Sequence, residues 1–481
     1  MTAARLADFV KAYDVRGLVP EQFNAEVASA LGSAFAQVVV LPEGETGIVI
    51  GHDMRPSSPE LSQAFAAAAA AHGLDVTMIG LCSTDGLYYA SGVLQRPGAM
   101  FTASHNPANY NGIKLCRAGA RPVGVDSGLA EVRDLAQWIL DRGAAHDGLR
   151  STAPAAGAIT QADLLTDYAS YLHSLVDLRD IRPLTVVVDA GNGMAGHTVP
   201  AVLGEAACLP LRVIPLYFEL DGSFPNHEAN PLEPANLRDL QAAVLQHDAD
   251  LGLAFDGDAD RCFVIDERGL PVSSSALTAL VAAREIARDV ASGTSPADIA
   301  VVHNLICSRA VRETIEELGA RPVRTRVGHS YIKAQMAEHE AVFGGEHSGH
   351  YYFRDFWFAD TGMLAALHVL AALGEQPRPL SELVGRYQRY DASGEINSTV
   401  ADVIEATERV RRWAQQQGAT ADTLDGLTMT HEATRTTPMW WFSLRPSNTE
   451  PLLRLNVEAA DPSTMEQVRD TVLALVRQEA T

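Results

Sequence analysis

Three aspartates, Asp256, Asp258 and Asp260, stand at alternate positions of "LGLAFDGDADRCFVID", with Gly257 after the first and an apolar run on either side. Carboxylates spaced this way can curl their oxygens around one hard cation, and an all-oxygen set suits Mg²⁺ with a phosphate as co-ligand. An EF-hand is a rival because Glu267 falls twelfth counting from Asp256, but the sixth position is Arg261 rather than Gly, and the flanks read as strands rather than helices. A second chemical stretch, "TASHNP" at 102–107, sets Ser104 beside His105. The hydrolase elbow G-x-S-x-G is absent there, which leaves Ser104 open between nucleophile, phosphate carrier and turn residue.

Two further loops carry binding chemistry. In "GEHSGH", 345–350, His347 and His350 beside Glu346 suggest zinc, but the order is neither H-E-x-x-H nor H-x-x-E-H and the glycines oppose the helix those motifs need. A glycine-lined loop with Glu346 and Ser348 fits vicinal sugar hydroxyls better, since a carboxylate accepts from hydroxyls and a serine both donates and accepts. In "RPSNTEP", 445–451, Arg445, Ser447, Asn448 and Thr449 form an anion cradle, with Arg454 on the next strand as a helper. "KAYDVRG" contributes Tyr13 and Arg16, "NGIK" contributes Lys114, and "RVGHSYIK" brings His329 to a strand-to-helix turn. Each of these also reads as an ordinary surface charge or capping group. "GNGMAG", 191–196, matches G-x-G-x-x-G, but no acidic strand end follows at the spacing a dinucleotide site needs.

The elements that must position these residues recur. "TGIVIGHDMRPSSPELSQAFAAAAAAHG" from Thr46, "LTVVVDAGNGMAGHTVPAVLGEA" from Leu184 and "IAVVHNLICSRAVRETIEELGA" from Ile299 each read as strand, turn and amphipathic helix. Each is followed by another apolar strand, in "LDVTMIG", "LRVIPL" and "RPVRTRV". Beyond about residue 376 the pattern changes to a helix and short strands, "MWWFSLRP" and "LLRLNVEA". The expectation is an α/β chain of three similar tandem domains, 1–150, 151–262 and 263–375, and a smaller α+β domain, 376–481. "AAHDGLRSTAPAAGA", 144–158, reads as a linker.

The whole chain narrows the function. Its 481 residues carry a net charge of -23, which disfavours nonspecific attraction to nucleic acid or anionic lipid. Any bound phosphate must be held by local cations, and lysine occurs only at 11, 114 and 333. Five scattered cysteines without C-x-x-C favour reduced thiols, and the N-terminus lacks a signal-type apolar core. The expectation is a cytoplasmic chain that binds neither nucleic acid nor membrane, as monomer or homodimer.

Together, "TASHNP", "DGDADR", "GEHSGH" and "RPSNTEP", in that order over nearly the full chain, resemble the four signature loops of the α-D-phosphohexomutase superfamily. "KAYDVRG", "FPNH" at 224–227 and "RVGHSYIK" are similar to its bacterial phosphomannomutase/phosphoglucomutase branch. The resemblance implies four domains in a heart-shaped arrangement around a central cleft, one loop from each. It implies that Ser104 is the phosphoserine and that Asp256, Asp258 and Asp260 bind Mg²⁺ together with its phosphate. Glu346 and Ser348 would read the sugar's 3- and 4-hydroxyls, and Arg445, Ser447, Asn448 and Thr449 would hold the phosphate that is not reacting. Arg16, Lys114, His105, Arg261 and His329 would line the reacting end.

Three aspartates and a serine phosphate bring roughly five negative charges against the two of Mg²⁺, so about three cations are needed, and Arg16, Lys114 and Arg261 are suited. A lysine beside other cations has its pKa pushed down, which favours Lys114 as general base, with His105 or His329 as the rival. The implied reaction interconverts mannose 6-phosphate and mannose 1-phosphate through a hexose 1,6-bisphosphate, which also serves as activator, and phosphoglucomutase activity is compatible with it. A mobile last domain would help the intermediate turn end over end. Two positions depart from the pattern: His347 stands where many relatives have methionine or glutamine, and Ile306 where they often have a sugar-contacting lysine. A metal-dependent phosphatase would want an aspartate nucleophile in D-x-D-x-T/V, which this chain does not supply. A noncatalytic sugar-phosphate binder would leave Ser104 and the metal loop unexplained.

Overall fold

A computed structural model of the chain describes residues 5–11, 13–142, 155–446 and 452–478. It divides into two compact units, Met1–Val272 with Ser348–Ser381, and Ser273–His347 with Glu382–Thr481.

The first unit contains two sheets. In the first, Gly98–Phe101, Gly47–His52, Asp75–Leu81 and Ile159–Gln161 run parallel in that spatial order, and Tyr110–Arg117 and Val15–Leu18 extend the other edge antiparallel. Ile48, Val49 and Ile50 are wholly buried, as a strand covered on both faces requires, each worth about 1.5–3 kcal/mol of apolar burial. Ile159–Gln161 lies beyond the boundary expected near 150, so the chain returns to the first sheet before entering the second. The expected linker falls largely outside the described residues.

The second sheet has the order Pro271–Val272, Cys262–Asp266, Leu251–Phe255, Leu184–Asp189, Leu211–Leu216. Cys262–Asp266 folds back antiparallel on Leu251–Phe255 as a hairpin that encloses the aspartate loop. The boundary expected at 262/263 falls at the start of that returning strand. Backbone pairing keeps 262–272 in the second domain.

Two helices show how apolar composition is spent. Gly362–Gly374 is buried on every face and serves as core. Ala25–Glu43 is the one helix among the described residues long and apolar enough to cross a membrane, a feature the sequence reading did not single out. Here its first turns pack on the helix Ser58–Ala71, with the Phe35 and Phe65 rings 6.0 Å apart. A Cβ at Gly32 would lie 2.5 Å from the Phe65 carbonyl oxygen, so glycine permits that approach.

The second unit begins with a parallel sheet, Arg321–Thr325, Ala300–Asn304, Phe343–Gly345, accompanied by the helices Ser274–Ala291, Arg309–Glu317 and His329–His339. Its C-terminal part is antiparallel, ordered Asp391–Thr399, Leu452–Ala459, Trp440–Pro446, Leu427–His431, Thr420–Asp422. The helices Val403–Gln416 and Pro462–Val476 join its core, started by Asp402 and Asp461, whose side chains accept from Glu405 N and Thr464 N. The three strand–turn–helix repeats and the smaller α+β domain therefore form where the periodicity placed them.

Candidate active site

"TASHNP" follows the strand Gly98–Phe101 and precedes its antiparallel neighbour Tyr110–Arg117. Within it Ser104 takes a left-handed backbone, φ +49°, with only 1% of its surface exposed. A non-glycine residue held there marks a constrained site. Its N–H donates to Thr102 Oγ1 (2.9 Å), and its Oγ donates to Asp256 Oδ2 (2.8 Å) and lies 3.0 Å from His105 Nδ1. The serine loop and the aspartate loop, 152 residues apart in sequence, therefore meet through one hydrogen bond.

Asp256, Asp258 and Asp260 are buried at the end of the strand Leu251–Phe255, with one oxygen of each within 4.8 Å of the others. A Cβ at Gly257 would lie 2.4 Å from the Ser104 carbonyl oxygen, so no other residue fits between the two loops. Thr84 Oγ1 donates to Asp258 Oδ2 (2.6 Å) and Thr84 N to the Asp258 carbonyl (3.0 Å). Asp258 Oδ1 and Asp260 Oδ1 are buried without a hydrogen-bond partner. Burial and the Asp258 charge push Asp256 up to about 6, and the same causes raise Asp260 well above the usual carboxylate range. Crowded, partly unsatisfied carboxylates of this kind fit a hard divalent cation.

Lys114 supplies countercharge from the strand Tyr110–Arg117, with Nζ 2.6 Å from Asp258 Oδ2 and 2.5 Å from Asp260 Oδ2. Burial alone would lower its pKa, but the two carboxylates outweigh burial and raise it. The expectation of a depressed lysine is thus corrected: cations stand nearby, but carboxylates touch it. Burial also pushes Asp258 upward, and there the Lys114 ammonium and the Thr84 hydroxyl prevail and hold it below the usual range. His105 moves the other way. Burial and the charges of Arg261 and Arg16 hold it at about 2, a neutral imidazole at physiological pH.

Arg261 Nε lies 3.5 Å from Asp256 Oδ2, and Arg16 pairs with Asp14 (2.7 Å) and donates to Asn106 Oδ1 (2.6 Å) on the serine loop. Tyr13 lies half-buried just before the strand Val15–Leu18. Ser348 Oγ is 2.8 Å from His350 Nδ1, and Arg261 Nε donates to His350 Nε2 (3.2 Å). His350 Nε2 also lies 3.7 Å from Asp260 Oδ1. The sequence raised His350 only as a zinc ligand. Its role here depends on a bridge between residues 261 and 350 that no local pattern shows.

In the second unit Glu346 follows the strand Phe343–Gly345, is 2% exposed, and accepts from Gly328 N (3.1 Å) and Asn304 Nδ2 (3.3 Å). His329 starts its helix directly after Gly328. Arg445 Nη2 lies 3.4 Å from Glu395 and Nη1 3.8 Å from Asp425, while Arg454 reaches Glu395 at 3.7 Å. The two arginines thus share one acidic partner, Glu395. Ser447, Asn448 and Thr449 lie outside the described residues. Both departures line one cavity in this unit, Ile306 and His347 together with Ser308 and Trp441.

The chain matches four descriptions from one family, all headed phosphoglucomutase/phosphomannomutase: α/β/α domain I over residues 8–136, domain II over 166–269, domain III over 275–390 and the C-terminal domain over 395–475. It is 39% identical over 461 residues to "Phosphohexose mutases" of Xanthomonas campestris pv. campestris, covering 95% of this chain and 96% of that one. It is 36% identical over 473 residues to a phosphomannomutase of Escherichia coli, covering 97% and 98%. A solved phosphoglucomutase/phosphomannomutase family protein from Burkholderia thailandensis superposes with a TM-score of 0.84 at 28% identity, covering 98% of both chains. The chain therefore belongs to the phosphoglucomutase/phosphomannomutase family and is a mutase enzyme of the phosphohexose kind.

Proposed function

We propose that the enzyme interconverts mannose 6-phosphate and mannose 1-phosphate, with glucose phosphates as further substrates, through a phosphoserine at Ser104 and a hexose 1,6-bisphosphate. The observation that carries this reading is Ser104: buried, left-handed, and hydrogen-bonded at 2.8 Å to one of three clustered aspartates.

In the proposed cycle the Ser104 phosphate passes its phosphoryl group to the free hydroxyl of the bound hexose phosphate. The Oγ–P bond breaks, a sugar O–P bond forms, and the hydroxyl proton ends on the departing Ser104 Oγ, which leaves as the neutral serine hydroxyl; His105 Nδ1, 3.0 Å from that oxygen, is the group at hand to carry it across. Asp256, Asp258 and Asp260 would hold Mg²⁺, which neutralises part of the charge on the transferring group. Lys114, Arg16 and Arg261 balance the rest as fixed positive charges. Glu346 and Ser348 would read hydroxyls, and Arg445 with Arg454 and the loop after it would hold the second phosphate. The bisphosphate then turns, and Ser104 recovers the other phosphoryl group. A carboxylate and a hydroxyl that read the 3- and 4-positions do not see C2, where mannose and glucose differ, which supports dual activity.

The test supplies Mg²⁺ and glucose 1,6-bisphosphate and compares mannose 1-phosphate, glucose 1-phosphate and glucosamine 1-phosphate. Turnover of the first two is expected, with glucosamine 1-phosphate slowest. No turnover of any of them would overturn the reading, and release of inorganic phosphate without isomerisation would assign a phosphatase instead.

A further inference from the structure

One arginine grips the serine loop from beneath. Arg55 is 1% exposed, and its Nη1 donates to the carbonyls of Pro107 (2.8 Å) and Tyr110 (2.9 Å). Its Nη2 donates to the carbonyls of Ser104 (2.9 Å) and Asn106 (2.6 Å). Four carbonyls of one loop thus converge on a single guanidinium.

Arg55 is itself fixed. Asp53 Oδ2 lies 3.3 Å from its Nε, and Asp53 Oδ1 accepts from Arg55 N (3.0 Å) and Ser58 Oγ (2.6 Å). The Phe224 ring centroid stands 5.1 Å from the guanidinium carbon, and a Cβ at Gly222 would meet Arg55 Cα at 2.7 Å. A planar fork with five fixed donors can serve two pairs of carbonyls at once, whereas an ammonium cannot span them.

We propose that Arg55 is a positioning residue that holds Ser104 in its left-handed conformation and so aims Oγ at Asp256 and the acceptor of the phosphoryl group. This rests on the reading that Ser104 carries the phosphate. A strained backbone persists only where its surroundings over-determine it, and the Ser104 carbonyl is held by Arg55 on one side and met by Gly257 on the other. Releasing that carbonyl lets the loop relax, moves Oγ, and disturbs the aspartate loop with it. Glu346 and Arg445, proposed above to read the substrate, belong to the second unit.

The test is Arg55→Lys in the full chain, which keeps the charge beside Asp53 and loses the fork. Because a displacement near 1 Å can cost about 10²-fold in rate, kcat should fall on the order of 10²-fold while KM for mannose 1-phosphate stays within about threefold. Guanidinium added at low concentration should partly restore kcat in Arg55→Ala, a response that a purely structural loss would not give. A folded Arg55→Lys enzyme with kcat within about threefold of wild type would overturn the proposal, since a positioning role of this size is then excluded. If Arg55→Lys does not fold, Asp53→Asn loosens the anchor of the arginine together with the bonds from the Ser58 and Thr102 hydroxyls, and the same kcat loss at constant KM is expected. An unchanged kcat there overturns the proposal equally. Wild-type turnover that survives Ser104→Ala would instead sink the phosphoserine reading, so the two failures are distinguishable.

Discussion

Lys114 sits between two carboxylates that keep its proton on, and His105 sits among cations that keep its proton off. In the proposed cycle Lys114 is therefore a fixed charge. Lys114→Arg should retain substantially more activity than Lys114→Gln, which also strands Asp258 and Asp260 at a cost of about 3–5 kcal/mol in stability. Equal loss in both variants would restore Lys114 as a base. His105→Gln should lower kcat by roughly 10²-fold if its imidazole takes part in proton transfer, and a wild-type kcat would remove it from the mechanism. For the metal, Asp256 is held at about 6, so protons compete with the cation below that pH. Mg²⁺ affinity should weaken from pH 8 to pH 5.5 and proton release should accompany binding near pH 6. Calorimetry in two buffers of different ionisation heat reads both, and a flat affinity would contradict the assignment. The metal loop was legible in the sequence because its spacing is local. The charge states of Lys114 and His105 were not, since they depend on partners up to 246 residues away, Asp360 in the case of Lys114.

The helix Thr84–Leu94 joins separate parts of the first unit through its N-terminal turn. Buried Asp85 accepts from the hydroxyls of Ser83, Tyr168 (2.7 Å) and Thr361 (2.6 Å), while the adjacent Thr84 holds Asp258. Burial, only partly offset by those hydroxyls, raises the Asp85 carboxyl from 3.8 to about 6. Between those values the folded chain keeps a proton that the unfolded chain has lost. Its contribution is fully present below about pH 4 and is lost as pH rises through about 6, a difference of order 3 kcal/mol. Asp85→Asn should flatten the pH dependence of urea midpoints across this window, and an unchanged slope would contradict the argument. The strand–turn–helix repeats were readable because period and turn residues lie within each segment. The return of Ile159–Gln161 to the first sheet and the junction at Asp85 were not, because both are contacts between distant segments that look ordinary one at a time. Arg55 illustrates the same point: in "HDMRPSS" nothing distinguishes a buried arginine from an exposed one.

At the scale of the molecule, a chain of net charge -23 handles anionic sugars, so the field around it does not collect substrate and recognition depends on local cations. The serine and aspartate loops belong to one compact unit and Glu346 and Arg445 to the other. The proposed cycle also requires the bisphosphate to be released and regripped in reverse, which calls for a moving last domain. X-ray scattering with and without glucose 1,6-bisphosphate should show a smaller radius of gyration in its presence, and superimposable profiles would contradict that motion. The proposed cycle stands on Ser104 carrying the phosphate that the sugar receives. Its most direct test is to charge the enzyme with labelled glucose 1,6-bisphosphate, locate the label by peptide mass spectrometry, and chase with unlabelled mannose 1-phosphate. Label is expected on Ser104 and is expected to move to the hexose in a single turnover. Label on another residue, or label on Ser104 that never leaves during turnover, would contradict it.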